Sequence, residues 1–178
     1  MGVQEMNNGT LDFNELADHE KFEDLVVAYF QDIENEPKSQ IVNVSVKPSG
    51  TGCDGGRDIL VTFKISDSLT QFDRKWVVQC KFHKSRISTN KIADINIPTL
   101  LHSYNASVYL LVCREKPTSK LTDLFERLEN NCKFGNKYLV WSGEQFKRLI
   151  KIKTKKELLQ QFFPQYYNDC IKNKVFEQ

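Results

Sequence analysis

The alternation of apolar and polar positions divides the chain into a helix, three strands, a helical stretch, a fourth strand, a helix, a fifth strand and closing helices. Between residues 18 and 33, Phe22, Leu25, Val26, Tyr29, Phe30 and Ile33 recur at the i, i+3, i+4, i+7 spacing of one buried helical stripe. Asp18 stands where that helix needs an N-cap. Val42, Val44 and Val46 alternate with Asn43, Ser45 and Lys47, which predicts a half-buried strand from Ile41 to Lys47. A glycine-rich turn, PSGTGCDGG (48–56), leads into a second strand at Arg57 to Lys64. A polar connection, ISDSLTQFDRK, returns the chain into a third strand from Trp76 to Phe82. In residues 84–104, Ile92, Ile95 and Leu100 favour helix, and Pro98 breaks or restarts it. ASVYLLVC (106–113) is nearly all apolar, as a strand covered on both faces must be. Pro117 to Asn130 reads as an amphipathic helix and Lys137 to Trp141 as another strand. Ser142 with Gln145, and Thr154 with Glu157, have the spacing of capping boxes for two further helices. The order predicts a mixed α/β domain with helices on both faces of a central sheet. Residues 1–17 read as a polar lead-in with a turn at Asn7-Asn8-Gly9, 18–163 as the domain, and 164–178 as a tail or linker without a closing element.

Composition narrows the class of protein. The 178 residues are 40% hydrophobic, enough for one real core, and no apolar run spans a bilayer. The first twenty residues carry no secretory signal, and Met6 stands where a myristoylation motif needs Ser or Thr. Five cysteines, Cys53, Cys80, Cys113, Cys132 and Cys170, form no C-x-x-C pair, and His19, His83 and His102 have no metal-ligand spacing. Free, mostly buried thiols in a reduced, cytoplasmic compartment are expected, with no membrane partner. The 25 Lys and Arg against 23 Asp and Glu leave a net charge of +2, which excludes a strongly basic nucleic-acid binder and shifts the question to local geometry.

The second and third strands place polar groups at an unusual position. Side chains alternate across a strand, so Asp58, Leu60 and Thr62 share one face, as do Val77, Gln79 and Lys81. In an antiparallel hairpin the start of the second strand lies beside the end of the third, which brings Asp58 next to Gln79 and Lys81. The plain alternative is an exposed Asp–Lys cross-strand pair of little energetic worth. Glu23 follows the buried Phe22 at the margin of the helical stripe, where it either points at the sheet end or is solvated. Gly50, Gly52 and Gly55 spell G-x-G-x-x-G, but a strand follows instead of the helix a dinucleotide-binding turn requires.

The motifs F-E-D-L-V (22–26), T-G-x-D-G-G-R-D-I (51–59) and V-Q-C-K (78–81) together resemble the Mrr-type restriction endonucleases. These form a branch of the PD-(D/E)xK nuclease superfamily in which Gln replaces the acidic residue of the third motif. The resemblance covers roughly residues 18 to 150 and implies a restriction-endonuclease-like fold with its site at the splayed end of the second and third strands. It further implies that Glu23, Asp58, Gln79 and Lys81 are catalytic. Mg²⁺, with Mn²⁺ as a substitute, would be held by Asp58, Gln79 and the Cys80 main-chain carbonyl, with Glu23 joining through water. Lys81 would orient the nucleophile or stabilise charge developing on the phosphorane. Gln79 in place of an acid lowers the negative charge at the site and leaves the number of metals open.

Beyond the motifs, Lys81-Phe82-His83-Lys84-Ser85-Arg86 runs out of the proposed site, and Lys84 and Arg86 are candidate phosphate contacts. His83 reads better as an ordinary exposed histidine than as an auxiliary acid or base. Lys147, Arg148, Lys151, Lys153, Lys155 and Lys156 form a denser basic run that reads better as a solvated helix face than as a DNA track. Trp76 and Trp141 are expected in the core. The resemblance also extends to antiviral proteins in which such a domain precedes a STAND-type NTPase sensor. It implies a Mg-dependent endonuclease acting on double-stranded DNA, an effector in antiphage defence that assembles into a homo-oligomer on activation. RNA cleavage, and a non-catalytic nucleic-acid-binding or assembly module on the same fold, are the alternatives.

Overall fold

Asp18 caps the first helix as its position predicts. Its side chain accepts a hydrogen bond from the backbone N–H of Lys21 over 2.9 Å, and α1 (His19–Asp32) buries Phe22, Leu25, Val26, Tyr29 and Phe30. The computed structural model describes residues 10–33, 40–49, 57–153 and 156–172. After α1 come β1 (Ile41–Pro48), β2 (Ile59–Ser66), β3 (Gln71–Lys81), α2 (Ile97–Ser103), β4 (Val108–Cys113), α3 (Ser119–Asn130), β5 (Lys137–Trp141), α4 (Gly143–Lys153), α5 (Lys156–Phe162) and α6 (Pro164–Lys172). The strands form one sheet in the order β1-β2-β3-β4-β5. The first three are antiparallel, while β3, β4 and β5 run parallel. Pro48 ends an edge strand, where its missing N–H costs no ladder bond.

Two apolar layers sandwich the sheet. One packs α1, α4, α5 and α6 onto Ile59, Val61, Phe63, Val78, Leu110 and Val112; the other packs α2 and α3 onto Val77, Tyr109, Leu111 and Cys113. All six positions of β4 are buried because it contributes alternate residues to both layers. Pro98 restarts the chain as a helix: it sits in the first turn of α2, whose N-cap Asn96 accepts from the Thr99 N–H at 3.1 Å. Ser142 supplies half of its expected capping box, accepting from the Gln145 N–H at 3.3 Å. Thr154 lies outside the described residues, as do Cys53 and residues 50–56 of the glycine-rich turn. Trp76 and Trp141 are partly buried and pack against the first layer, both against Phe30. The cysteines among the described residues are free; Cys80, Cys113 and Cys170 are buried. No helix among the described residues is long and apolar enough to cross a membrane.

The structure corrects the sequence reading in four places. Residues 65–75 are not a loop, because β2 continues to Ser66 and β3 starts at Gln71. Asp67 closes the tight turn by accepting from the N–H groups of Leu69 and Thr70 at 2.8 and 2.7 Å. That polar hairpin arm lacks alternation because it extends past the core. In β1 the register shifts between Ile41 and Asn43, and the bulge turns Val42 outward to 50% exposure. The second half of the lead-in is core: Leu11, Phe13 and Leu16 are buried, and the Phe13 ring meets those of Phe22, Phe146 and Phe163 at 5.4, 6.2 and 6.2 Å. Three apolar residues in and around a short 3-10 turn have no period to detect. Residues 164–172 form α6, whose first N–H groups, at Gln165 and Tyr166, donate to the Glu15 carboxylate at 2.8 and 3.2 Å. Phe163 and Cys170 are buried with it.

Candidate active site

The antiparallel register runs as far as Ile59 opposite Val78, so Asp58, the residue before β2, sits where the pairing ends, near Gln79 and Cys80 of β3. The Asp58 backbone N–H donates to the Val78 carbonyl at 3.1 Å. Its side chain then turns across to β3, where Oδ2 accepts the Cys80 N–H at 2.6 Å. The carboxylate therefore replaces the bond that a continued ladder would have made, and it is held at the point where β2 departs. A strand residue aims its N–H and C=O at the same neighbour. The Cys80 carbonyl is accordingly directed to the same side as its N–H, just past Asp58.

Burial pushes the Asp58 carboxyl above the usual carboxylate range, while the Cys80 N–H and the charges of Lys81 and His19 pull it back. Glu23, partly buried on α1, is raised first by burial and then by the Asp58 charge, with His19 opposing. The two carboxylates thus share one low-dielectric corner and repel each other. Burial also pushes the Cys80 thiol well above its ordinary value, so its side chain is a neutral thiol and its donor toward the site is main-chain oxygen.

Gln79 is only 4% exposed, and its Oε1 accepts a 2.6 Å hydrogen bond from the Tyr109 hydroxyl of β4. Lys81 ends β3 on the same face, with its carbonyl accepting from the Arg114 N–H at 2.9 Å. The structure thus brings Glu23, Asp58, Gln79 and Lys81 to one end of the sheet. Among the described residues no group of three or more His, Cys, Asp or Glu is placed to hold a metal. The oxygens available are two carboxylates, one amide and one main-chain carbonyl. This hard-donor set fits a divalent cation of the Mg²⁺ type, and a cation there would relieve the repulsion between Glu23 and Asp58.

Lys84 and Arg86 lie on the exposed loop that leaves β3, pinned by the fully buried Ile87, which bridges to Pro117. Arg86 enters a polar cleft of about 330 Å³ with Arg114, Lys116 and Lys147 and the acids Asp12, Glu115 and Glu144. His83 is exposed and is lowered by partial burial and by the charges of Lys91 and Lys81. Of the denser basic run, Lys147 pairs with Glu144 at 3.4 Å and lies over the Phe13 ring, and Lys151 lies over Tyr166. These two cations turn back onto the protein. Three neighbours escaped the sequence reading. Tyr109 looked like one more apolar strand residue, His19 was judged only by histidine spacing, and Arg114 sits at a strand end with no motif. Arg114 stacks over Phe82 at 4.6 Å and donates to Asn14 Oδ1 at 2.6 Å. Gly143 begins α4 so close to the Arg114 backbone that a Cβ there would overlap its carbonyl oxygen.

A five-stranded mixed sheet flanked by helices, with this polar cluster at the end of its central hairpin, defines a restriction-endonuclease-like fold. Residues 15–150 match the restriction endonuclease family Mrr_cat, and the chain belongs to that family, whose members are deoxyribonucleases and typically metal-dependent. Among solved structures, the MspJI restriction endonuclease in complex with a 27-mer oligonucleotide is similar at a TM-score of 0.53 and 14% identity, over 86% of this chain and 34% of that one. The DNA modification-dependent restriction endonuclease AspBHI aligns at a TM-score of 0.47 and 10% identity, over 100% of this chain and 45% of that one. The chain thus spans less than half the length of either. Comparison with curated proteins found no match.

Proposed function

We propose that this chain is a metal-dependent endonuclease that hydrolyses phosphodiester bonds of double-stranded DNA. The observation that carries this reading is the Asp58 carboxylate fixed on the Cys80 N–H, near Gln79 and beside Lys81. In this reading Asp58, Gln79 and the Cys80 carbonyl would hold Mg²⁺ or Mn²⁺, with Glu23 joining through water. A cation held there would supply Lewis-acid polarisation of a phosphoryl oxygen and a stronger water nucleophile. The residues do the rest. Lys81 carries a fixed positive charge to the oxygens on which negative charge grows as the water–phosphorus bond forms and the phosphorus–sugar oxygen bond breaks. Glu23, partly buried on α1 near Asp58, would accept the proton the water loses. Lys84 and Arg86 contact flanking phosphates, which positions the duplex without reading its sequence.

By resemblance, this domain is the effector of a cytoplasmic antiphage protein, fused to a STAND-type NTPase sensor and assembling into homo-oligomers on activation.

Plasmid cleavage tests the reading. Wild-type protein nicks or linearises DNA with Mg²⁺ or Mn²⁺ and stops with EDTA, while Asp58→Ala and Lys81→Ala each lose on the order of 10²–10³-fold in rate. Full activity in either variant removes that residue from the site. Parallel digestion of RNA decides between the two polymers. The second reading is a non-catalytic nucleic-acid-binding module on the same fold. Metal-independent, salt-sensitive DNA binding without turnover would support it.

A further inference from the structure

We propose that Tyr109 is a positioning residue for the Gln79 amide, holding its oxygen available to the cation; the inference rests on reading Gln79 as a metal ligand. Tyr109 is fully buried on β4, diagonal to Gln79 across the parallel pairing of Val77 with Tyr109 and Gln79 with Leu111. Its ring packs edge-on against Phe125 of α3 at 5.8 Å, which fixes where the hydroxyl can go. That hydroxyl donates to Gln79 Oε1 over 2.6 Å, and both side chains sit against the apolar layer formed with α2 and α3.

A carboxylate at position 79 would present an oxygen to the cation in either orientation. An amide presents oxygen in one orientation and N–H in the other, and the latter repels a cation. Rotating the Gln79 amide would also leave the Tyr109 O–H proton without an acceptor in an apolar layer, a costly state. Tyr109 therefore selects one of two otherwise similar rotamers. The amide oxygen has two lone pairs, so one accepts from Tyr109 and the other remains for the metal. The substitution of Gln for an acid thus brings a requirement for an orienting donor, and the Tyr109 hydroxyl meets it.

The test is Mn²⁺ affinity by isothermal titration calorimetry, on the full chain without DNA, alongside cleavage rates. Tyr109→Phe should weaken Mn²⁺ binding about tenfold. In a Gln79→Ala background the same change should alter affinity less than about twofold, because there is no amide left to orient. Gln79→Glu introduced into the Tyr109→Phe variant should restore tight binding, which also shows that a chain lacking the Tyr109 hydroxyl still folds. Wild-type affinity in Tyr109→Phe overturns the proposal, and so does an equal loss in both backgrounds, which marks a packing role. Failure of the wild-type chain to bind Mn²⁺ at all overturns the metal-site reading itself, a distinguishable result.

Discussion

Asp58 illustrates how one side chain carries a structural and a chemical role in opposition. Its Oδ2 closes the end of the sheet through the Cys80 N–H, while burial beside Glu23 makes its charged form costly. Both carboxyls are raised in the fold, so the folded state holds protons more tightly than the unfolded chain. Their contribution to stability is full below the unfolded values, about 4, and is lost as pH rises through the higher folded ones. At neutral pH the ionised pair opposes folding. Glu23→Gln should therefore raise the Tm of the metal-free protein at pH 7, on the order of 1–3 °C, and the gain should shrink toward about pH 4. Calorimetry in EDTA reads this directly; an unchanged Tm at pH 7 would count against the shared, desolvated site. Saturating Mg²⁺ should raise the wild-type Tm by mass action and leave Asp58→Ala unmoved.

Among the elements, the 3-10 turn at Phe13–Glu15 does more than its length suggests. Phe13 plugs the junction of α1, α4 and the start of α6, and Glu15 accepts from the first N–H groups of α6. Phe13→Ala should cost about 3–5 kcal/mol in urea unfolding. A true lead-in would tolerate the same change within about 0.5 kcal/mol. The loop after β3 is the complementary case, exposed except for the Ile87 anchor. With Lys84 and Arg86 as its phosphate contacts, log Kobs for DNA should fall with log salt at a slope of about −2, and each Ala substitution should reduce that slope by about 1. Fluorescence anisotropy across a salt series measures it, and an unchanged slope in Arg86→Ala would remove that contact.

At the scale of the whole molecule, a net charge of +2 is the sum of 25 Lys and Arg and 23 Asp and Glu. The cleft beside the loop itself mixes Arg86, Arg114, Lys116 and Lys147 with Asp12, Glu115 and Glu144, so the sum conceals how charges are distributed. In the proposed reading a single copy binds DNA weakly, and assembly of several copies would add avidity without any new contact. The sheet is open at β1 and β5, and its parallel half ends beside the candidate site, where Lys81, Arg114 and Ser142–Gly143 come together.

Periodicity was sufficient to find α1, β4, α3 and β5, because each buries a regular stripe or an unbroken apolar run whose signal lies within a dozen residues. Strand alternation likewise placed Asp58, Gln79 and Lys81 on one face, since a hairpin register is a local property. Whatever depends on distant partners was not visible in this way. Phe13 is core because residues at 22, 146 and 163 surround it. Glu15 is a helix cap across 150 positions of chain, and residues 164–172 are a helix because that cap and the first apolar layer receive them. Tyr109 reads as apolar filler until β4 lies beside β3 and its hydroxyl meets Gln79. Local pattern reports which face a residue occupies; the identity of the group it meets there depends on chain closure over long separations, which only packing of the complete sheet and its helices specifies.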